Sequence, residues 1–294
     1  MYKDIFGKSR MKINFHTHTT VSDGKKTPEE AAAIYEAAGY DAIAITDHYV
    51  YSQGGNLSGL RILSGVEYDV YVCHGRRGVY HILALGCAHE PDVKREDALS
   101  AEEVVARILE AGGTPVLAHP AWSLNQPQSA LDLSDVAITE IYNSVSDTGE
   151  SSRPYSGCFA DLVACLGKPM LLLATDDTHY YVGEDETKCA VMVECEENAT
   201  EAEILAAVRA GKFYATHGPE VHIAAEGDEI VVRSSPVSRI SLFSSAAWVA
   251  GNCVRGENLT EHRRKILPYE KFVRAEVTDA EGKMAFTNYI VLNG

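Results

Sequence analysis

Short apolar runs in this chain end repeatedly in histidine or a carboxylate. Ile13–Phe15 leads into His16-Thr-His18, Ala42–Thr46 into Asp47-His48, and Ile62–Val66 into Glu67. Val116–Ala118 leads into His119-Pro120, Ile138–Tyr142 into Asn143, and Met170–Thr175 into Asp176-Asp177-Thr-His179. Tyr80–Leu85 differs, because His81 stands near its start. The i, i+2 spacing of His16 and His18 puts both imidazoles on one face of a strand, and Asp177 with His179 repeats that geometry. Imidazoles and carboxylates together form a nitrogen and oxygen ligand set that suits Zn, Mn or Fe and demands no thiolate. A lone buried His is usually a hydrogen-bonded core residue. Five strand ends that each carry one need another account, since burying so many titratable groups without a cation costs several kcal/mol. The sequence predicts a metal centre.

The elements that must position these groups are well marked. The runs are rich in Ile, Val and Leu and alternate poorly, as strands buried on both faces do. Thr27-Pro-Glu-Glu30, Ser100-Ala-Glu-Glu103 and Thr200-Glu-Ala-Glu203 read as capping boxes, with Pro28 at a first helical position. Gly39, Gly112 or Gly113, and Gly211 mark helix ends. Strand–helix alternation from residue 12 to about 218 predicts a parallel α/β fold, most economically a closed barrel. The C-terminal face of such a barrel would gather the polar strand ends. His81 fits only if its strand is offset or antiparallel. Beyond Gly218-Pro219, Val221–Ser235 and Phe272–Leu292 read as hairpins, and Val273, Ala275 and Val277 alternate with Arg274, Glu276 and Thr278. A domain boundary is therefore expected near residue 218, with a barrel over 1–218 and a small all-β unit over 219–294.

Composition narrows the function. With 294 residues, 46% hydrophobic and 23% charged, the chain has ample sequence for a core and is not a disordered one. Its 26 Lys and Arg against 42 Asp and Glu give a net charge of −16, which argues against nucleic acid as the main partner. No apolar run approaches the ~20 residues of a membrane span, and the N-terminus does not read as a secretory signal. Seven scattered Cys without a C-x-x-C pair suggest reduced thiols and a cytoplasmic location.

The motifs Phe15-His-Thr-His-Thr19 with Ser22-Asp-Gly24, Ile45-Thr-Asp-His48, Ser64-Gly-Val-Glu67, Tyr80-His-Ile-Leu83, Leu117-Ala-His-Pro120 and Thr175-Asp-Asp-Thr-His179 occur in an informative order. Together they resemble the PHP (polymerase and histidinol phosphatase) metallohydrolase family, over roughly residues 12 to 218. Glu140-Ile-Tyr-Asn143, Gly211 to Pro219 and Arg274 to Asn288 look like its carbaryl-hydrolase-like branch, which carries a β-rich appendix. The resemblance implies a distorted (β/α)7 barrel with two or three divalent ions (Mn, Fe or Zn) at its mouth. Carried over by position, His16, His18, Glu67 and Asp177 would hold the first. Glu67 would bridge to a second, held with His81 and His119, and His48, His179 and Asp23 would hold the third. Asp23 stands where many members have His; alternatively it makes an Asx-turn in the Ser-Asp-Gly loop.

The expected activity is hydrolysis of a phosphate ester on a small anionic metabolite by a metal-bridged hydroxide. Bound divalent ions would keep the mouth cationic despite the net charge. Asp47 is expected either to orient a ligand or to carry a proton, Asp176 to orient a ligand imidazole, Arg153 to reach a phosphate, and His217 to protonate a leaving group. Trp122 suggests an apolar wall. His74, His89, His222 and His262 read as surface or structural. A carbamate or carboxylic ester hydrolase on the same metals is the alternative activity, and a non-catalytic metal-binding module the alternative class.

Overall fold

The computed structural model describes residues 2–149, 151–181 and 183–292. In chain order, the first half holds β1 (Tyr2–Lys3), β2 (Ser9–Asn14), α1 (Pro28–Ala37), β3 (Ala42–Ala44), β4 (Gly55–Leu57), β5 (Leu60–Leu63), β6 (Gly65–Cys73) and β7 (Arg76–Leu85). Next come α2 (Ala101–Glu110), β8 (Thr114–Leu117), α3 (Pro127–Asp132), β9 (Ile138–Asn143), α4 (Gly157–Cys165) and β10 (Leu171–Thr175). β11 (Ala190–Glu194), α5 (Glu201–Arg209) and β12 (Phe213–Thr216) complete the region before residue 218. β13 (Val221–Glu226), β14 (Glu229–Ser244), β15 (Cys253–Lys265), β16 (Phe272–Thr278), β17 (Met284–Phe286) and β18 (Ile290–Val291) follow. Thr27, Ser100 and Thr200 each cap a helix with a reciprocal Glu three residues on, as their sequences demand.

The result is a mixed α/β fold with few helices and much sheet. One sheet runs β13-β14-β16-β17-β12-β11-β2-β3-β5-β4, with β1, β15 and β18 attached, and the other runs β10-β9-β8-β7-β6. β2, β3 and β5 are parallel, as are β8, β9 and β10. β6–β7–β8 and β2–β11–β12 are antiparallel, so the expected all-parallel pattern is corrected. The antiparallel β6–β7 hairpin also gives His81 its place, opposite Asp69.

Neither sheet closes among the described residues, so a continuous barrel is not formed. β5 occupies the edge of β3, and after Ser64 the chain crosses into the other sheet as β6. The sheets meet through isolated bridges, Thr17 with Thr178 and His48 with Glu67, at the strand ends that carry the polar residues. Between them lies a shared apolar core from Ile13 and Phe15 through Leu83, Val116 and Leu173 to Val191. Helices α2 and α4 cover the outer face of the smaller sheet. Burying these faces from water is the main source of stability.

The expected boundary falls in the turn between β12 and β13, and the ladder runs across it: Ala215 and Thr216 of β12 pair with Phe286 and Ala285 of β17. Arg274 ties the same region to α4. It is fully buried, donates from Nε and Nη2 to Asp161 at 2.7 and 2.8 Å, and pairs with Glu276, which also accepts from Tyr155 Oη. Removing one partner of such a buried set strands the others as uncompensated charges. Arg274→Ala is therefore expected to lower unfolding free energy by about 3–5 kcal/mol, measured by urea denaturation.

Candidate metal centre

The strand ends converge because neighbouring strands are laced together just beyond their last ladder bonds. Asn14 at the end of β2 donates from Nδ2 to the His16 carbonyl and Thr17 Oγ1, both at 2.9 Å, while its Oδ1 accepts from Asp176 N at 3.0 Å. His18 N donates to Thr178 O, and Asp177 N to His16 O. Asp177 and His119 adopt positive φ (51° and 26°), a conformation costly for a residue with a side chain and tolerated where surrounding bonds enforce it. Gly24 lets the 19–24 loop lie on the His18 carbonyl, which an added Cβ would meet at 2.6 Å.

His16, His18, Glu67 and Asp177 form one buried group, with ligand atoms within 4.8 Å of one another. Glu67 faces two ways. Its Oε2 lies 3.2 and 3.0 Å from Nε2 of His16 and His18 and 3.4 Å from His48 Nδ1. Its Oε1 lies 3.0 Å from His81 Nδ1 and 3.5 Å from His119 Nε2. A second group gathers His48, Glu67 and His81, and a third His18, Asp23, His48 and His179. Asp23 Oδ1 sits 3.5 Å from His179 Nε2, and its side chain is half-exposed. That side chain accepts from Ser22 Oγ and from no backbone N–H among the described residues, so the Asx-turn is not formed.

This arrangement fits divalent cations. Asp177 Oδ1 and His48 Nδ1 are buried without a hydrogen-bond partner, although other donors and acceptors crowd them. Left without a cation, such buried groups cost several kcal/mol. The electrostatics of the metal-free cluster point the same way. Burial pushes the Glu67 carboxyl up, but His16 and His81 outweigh it and hold the group well below its usual range. Burial pulls His18 down, yet the carboxylates of Asp177 and Glu67, 3.2 and 3.0 Å from its Nε2, prevail and push its imidazole up to about 9. His48 is pulled down by burial, against the opposing attraction of Glu67.

Glu140 holds the ligands in place, a role not assigned from sequence. It is fully buried, with Oε1 2.7 Å from His16 Nδ1 and accepting from Thr175 Oγ1 at 2.7 Å. Its Oε2 accepts from His119 N at 2.9 Å and Asn143 Nδ2 at 2.8 Å, and Asn143 also donates to Asp177 Oδ2. The available signal was a carboxylate inside a strand that is buried along most of its length. Asp176, expected to orient an imidazole, instead accepts from Tyr35 Oη, Ser144 Oγ and the backbone N–H groups of Lys188 and Cys189. Burial pushes its carboxyl up to about 6, against those hydrogen bonds.

Asp47, Arg153 and His217 do not line this cavity. Asp47 is consumed by the 19–22 loop, accepting from the backbone N–H and hydroxyl of both Thr19 and Ser22. Arg153 is exposed and is not among the lining residues. His217 belongs to a separate cavity of about 870 Å³, stacked 4.6 Å from the Tyr142 ring. Burial pulls it down to about 4, against Asp279, which favours the neutral imidazole over the imidazolium.

The cluster instead floors a cavity of about 580 Å³. Trp122 lines it, its ring 4.9 Å from His119 and 5.6 Å from His81, and Tyr181 stacks 5.0 Å from His179. Arg95 and Asp69, unremarked in the sequence, line it too.

No protein-family model and no curated protein matches this chain. Solved structures do. A two-domain protein from Bacteroides vulgatus, described as containing a predicted PHP-like metal-dependent phosphoesterase, is 14% identical with a TM-score of 0.52, over 99% of this chain and 98% of that one. An amidohydrolase from Chromobacterium violaceum with bound sulfate and no metal is 17% identical over 57% of this chain and 87% of its own, with a TM-score of 0.41. A protein from Bifidobacterium adolescentis assigned as a metal-dependent phosphoesterase is 16% identical over 60% and 89%, with a TM-score of 0.39. The full-length likeness to the Bacteroides protein is one of fold.

Two outcomes follow from this geometry. Glu140→Gln, which keeps the shape but weakens the hold on His16, should lower metal affinity about 10- to 100-fold in a chelator-competition titration. Metal loading near neutral pH should expel protons, because His18 is protonated below about 9 in the metal-free protein. Affinity should therefore rise with pH up to that value. In the metal-free fold the raised His18 stabilises fully below the ordinary imidazole range, and that contribution disappears as pH climbs through about 9. Calorimetry in buffers of different ionisation enthalpy measures the proton count.

Proposed function

We propose that this chain is a metal-dependent phosphoesterase acting on a small anionic metabolite, a phosphomonoester or a cyclic or diester. The observation that carries the reading is Glu67, whose two carboxylate oxygens face separate imidazole groups on the floor of an open cavity. In this reading His16, His18, Glu67 and Asp177 hold one ion, Glu67, His81 and His119 a second, and His48, His179 and Asp23 a third. Manganese, iron or zinc suits these nitrogen and oxygen donors. Bound there, divalent ions supply a water of lowered pKa and neutralise charge on the substrate.

The residues around the ions have their own tasks. Glu140 fixes the tautomer and direction of His16 through the 2.7 Å contact to Nδ1. Trp122 covers His81 and His119 and excludes water from that side. The 143–148 segment adds to the wall through Val145, Ser146 and Thr148. Residues 219–294 are read as a supporting domain that supplies no ligand.

Hydrolysis of a carbamate or carboxylic ester is the second reading, favoured by the exposed Trp122 and Tyr181 rings at the mouth and by the β-rich C-terminal region. A cytoplasmic setting is supported by free thiols at all of the described cysteines, Cys73, Cys87 and Cys189 being buried. No helix among the described residues is long and apolar enough to cross a membrane.

The expected result is that the protein loaded with Mn hydrolyses p-nitrophenyl phosphate faster than p-nitrophenyl acetate. A chelator should abolish the activity, added Mn should restore it, and Glu67→Gln should lose both metal and turnover. Preference for the acetate would favour the second reading, and full turnover in chelator would refute both.

A further inference from the structure

We infer that Arg95 is the anion anchor of this cavity and selects phosphorylated over neutral ligands, an inference that rests on the phosphoesterase reading. It stands in the excursion between β7 and α2. Among the described residues it is the one Lys or Arg that lines the metal cavity. Its Nη1 and Nη2 donate to Asp69 Oδ2 and Oδ1 at 3.1 and 3.0 Å, a two-point grip on one carboxylate. Below the guanidinium plane lies the Tyr49 ring, 4.2 Å from Cζ to centroid. Tyr71 Oη holds Asp69 Oδ2 at 3.0 Å, so the carboxylate is itself fixed.

This pair is asymmetric in a way that a structural ion pair does not need. The Asp69 side chain is 8% exposed, whereas that of Arg95 is 59% exposed. The carboxylate faces inward, where its Oδ1 lies 3.5 Å from His48 Nδ1, and the guanidinium faces the open cavity. One carboxylate oxygen thus spans from a metal-cluster imidazole to the guanidinium. The pair with Asp69 uses two of the five guanidinium N–H donors, so others are left to meet phosphate oxygens from a planar group fixed at the cavity. An exposed ion pair by itself contributes about 0–1 kcal/mol, too little to explain such a support. Pre-orientation of a guanidinium toward an anionic ligand explains it, because a donor already fixed loses little entropy on binding.

The test measures inorganic phosphate affinity by calorimetry on the Mn-loaded full chain, with metal content determined for each protein. Arg95→Ala should bind phosphate at least tenfold more weakly than the wild type while retaining the same metal content. Arg95→Lys should recover only part of the loss, since an ammonium cannot hold Asp69 and phosphate in a planar fork. Equal phosphate affinity in wild type and Arg95→Ala, both fully loaded, would overturn the assignment. Wild-type turnover of p-nitrophenyl phosphate separates the two claims. Turnover with Arg95-independent phosphate binding removes the anchor and leaves the phosphoesterase reading. Arg95-dependent binding without turnover does the reverse, and absence of phosphate binding by the wild type overturns the anchor outright.

Discussion

Burial of Glu67 and Asp177 among imidazoles is the constraint to which the rest of this molecule answers. Two carboxylates at 1% and 5% exposure, ringed by His16, His18 and His119, hold together only while positive charge lies between them. In the metal-free protein the neighbouring carboxylates hold the His16 and His18 imidazoles above their ordinary range. Divalent ions held by the same donors would take the place of protons there. Either way the scaffold must deliver side chains from both sheets to one place and keep them there against their mutual desolvation.

The sheets solve this by staying open. A strand that completed a ladder along its whole length would have its ends fixed by the regular stagger of the sheet. Here β2 and β10, and likewise β3 and β6, touch through single bridges at their ends. Positive φ at Asp177 and His119 then turns the side chains inward. Glu140 compensates for the missing ladder by bonding to His16 just beyond β2, to His119 just beyond β8, and to the ends of β9 and β10. A buried carboxylate thus replaces sheet hydrogen bonds as the element that sets ligand spacing, and it holds each contact without needing a metal.

A second polar hub acts at one remove. Arg274 of β16 grips Asp161 of α4 and pairs with Glu276, which takes the hydroxyl of Tyr155. Tyr155 bridges Tyr142 at the end of β9, where the segment that walls the cavity departs. The C-terminal strands therefore reach the mouth of the cavity through this wall while their side chains stay away from the metal cluster. The sheet that continues through β12 and β17 makes the same connection in the backbone.

The candidate donors that the structure gathers stood out in the sequence because His and carboxylate at strand ends are short-range signals. His-Thr-His at a strand end, Asp-His after the next, and Asp-Thr-His after another carry their geometry in the period of two residues and in their order. Capping boxes at Thr27, Ser100 and Thr200 were legible for the same reason: each is satisfied within four residues. The roles of Asp47, Asp176, Arg153 and His217 were not legible, because adjacency to a ligand in sequence does not say which way a side chain turns. Asp47 turns into the Thr19–Ser22 loop, and His217 lies behind the Tyr142 ring in another cavity. Nor could periodicity distinguish a closed parallel barrel from two open mixed sheets, since strands buried on both faces look alike in either. The sequence by itself offered the candidate metal donors and fixed where α1, α2 and α5 begin. Only the tertiary structure decided that β6 and β7 pair antiparallel, that Glu140 orders the ligands, and that Arg95 reaches the cavity. Those outcomes rest on contacts between residues far apart in the chain, whose hydrogen bonds and buried charges leave no local pattern to read.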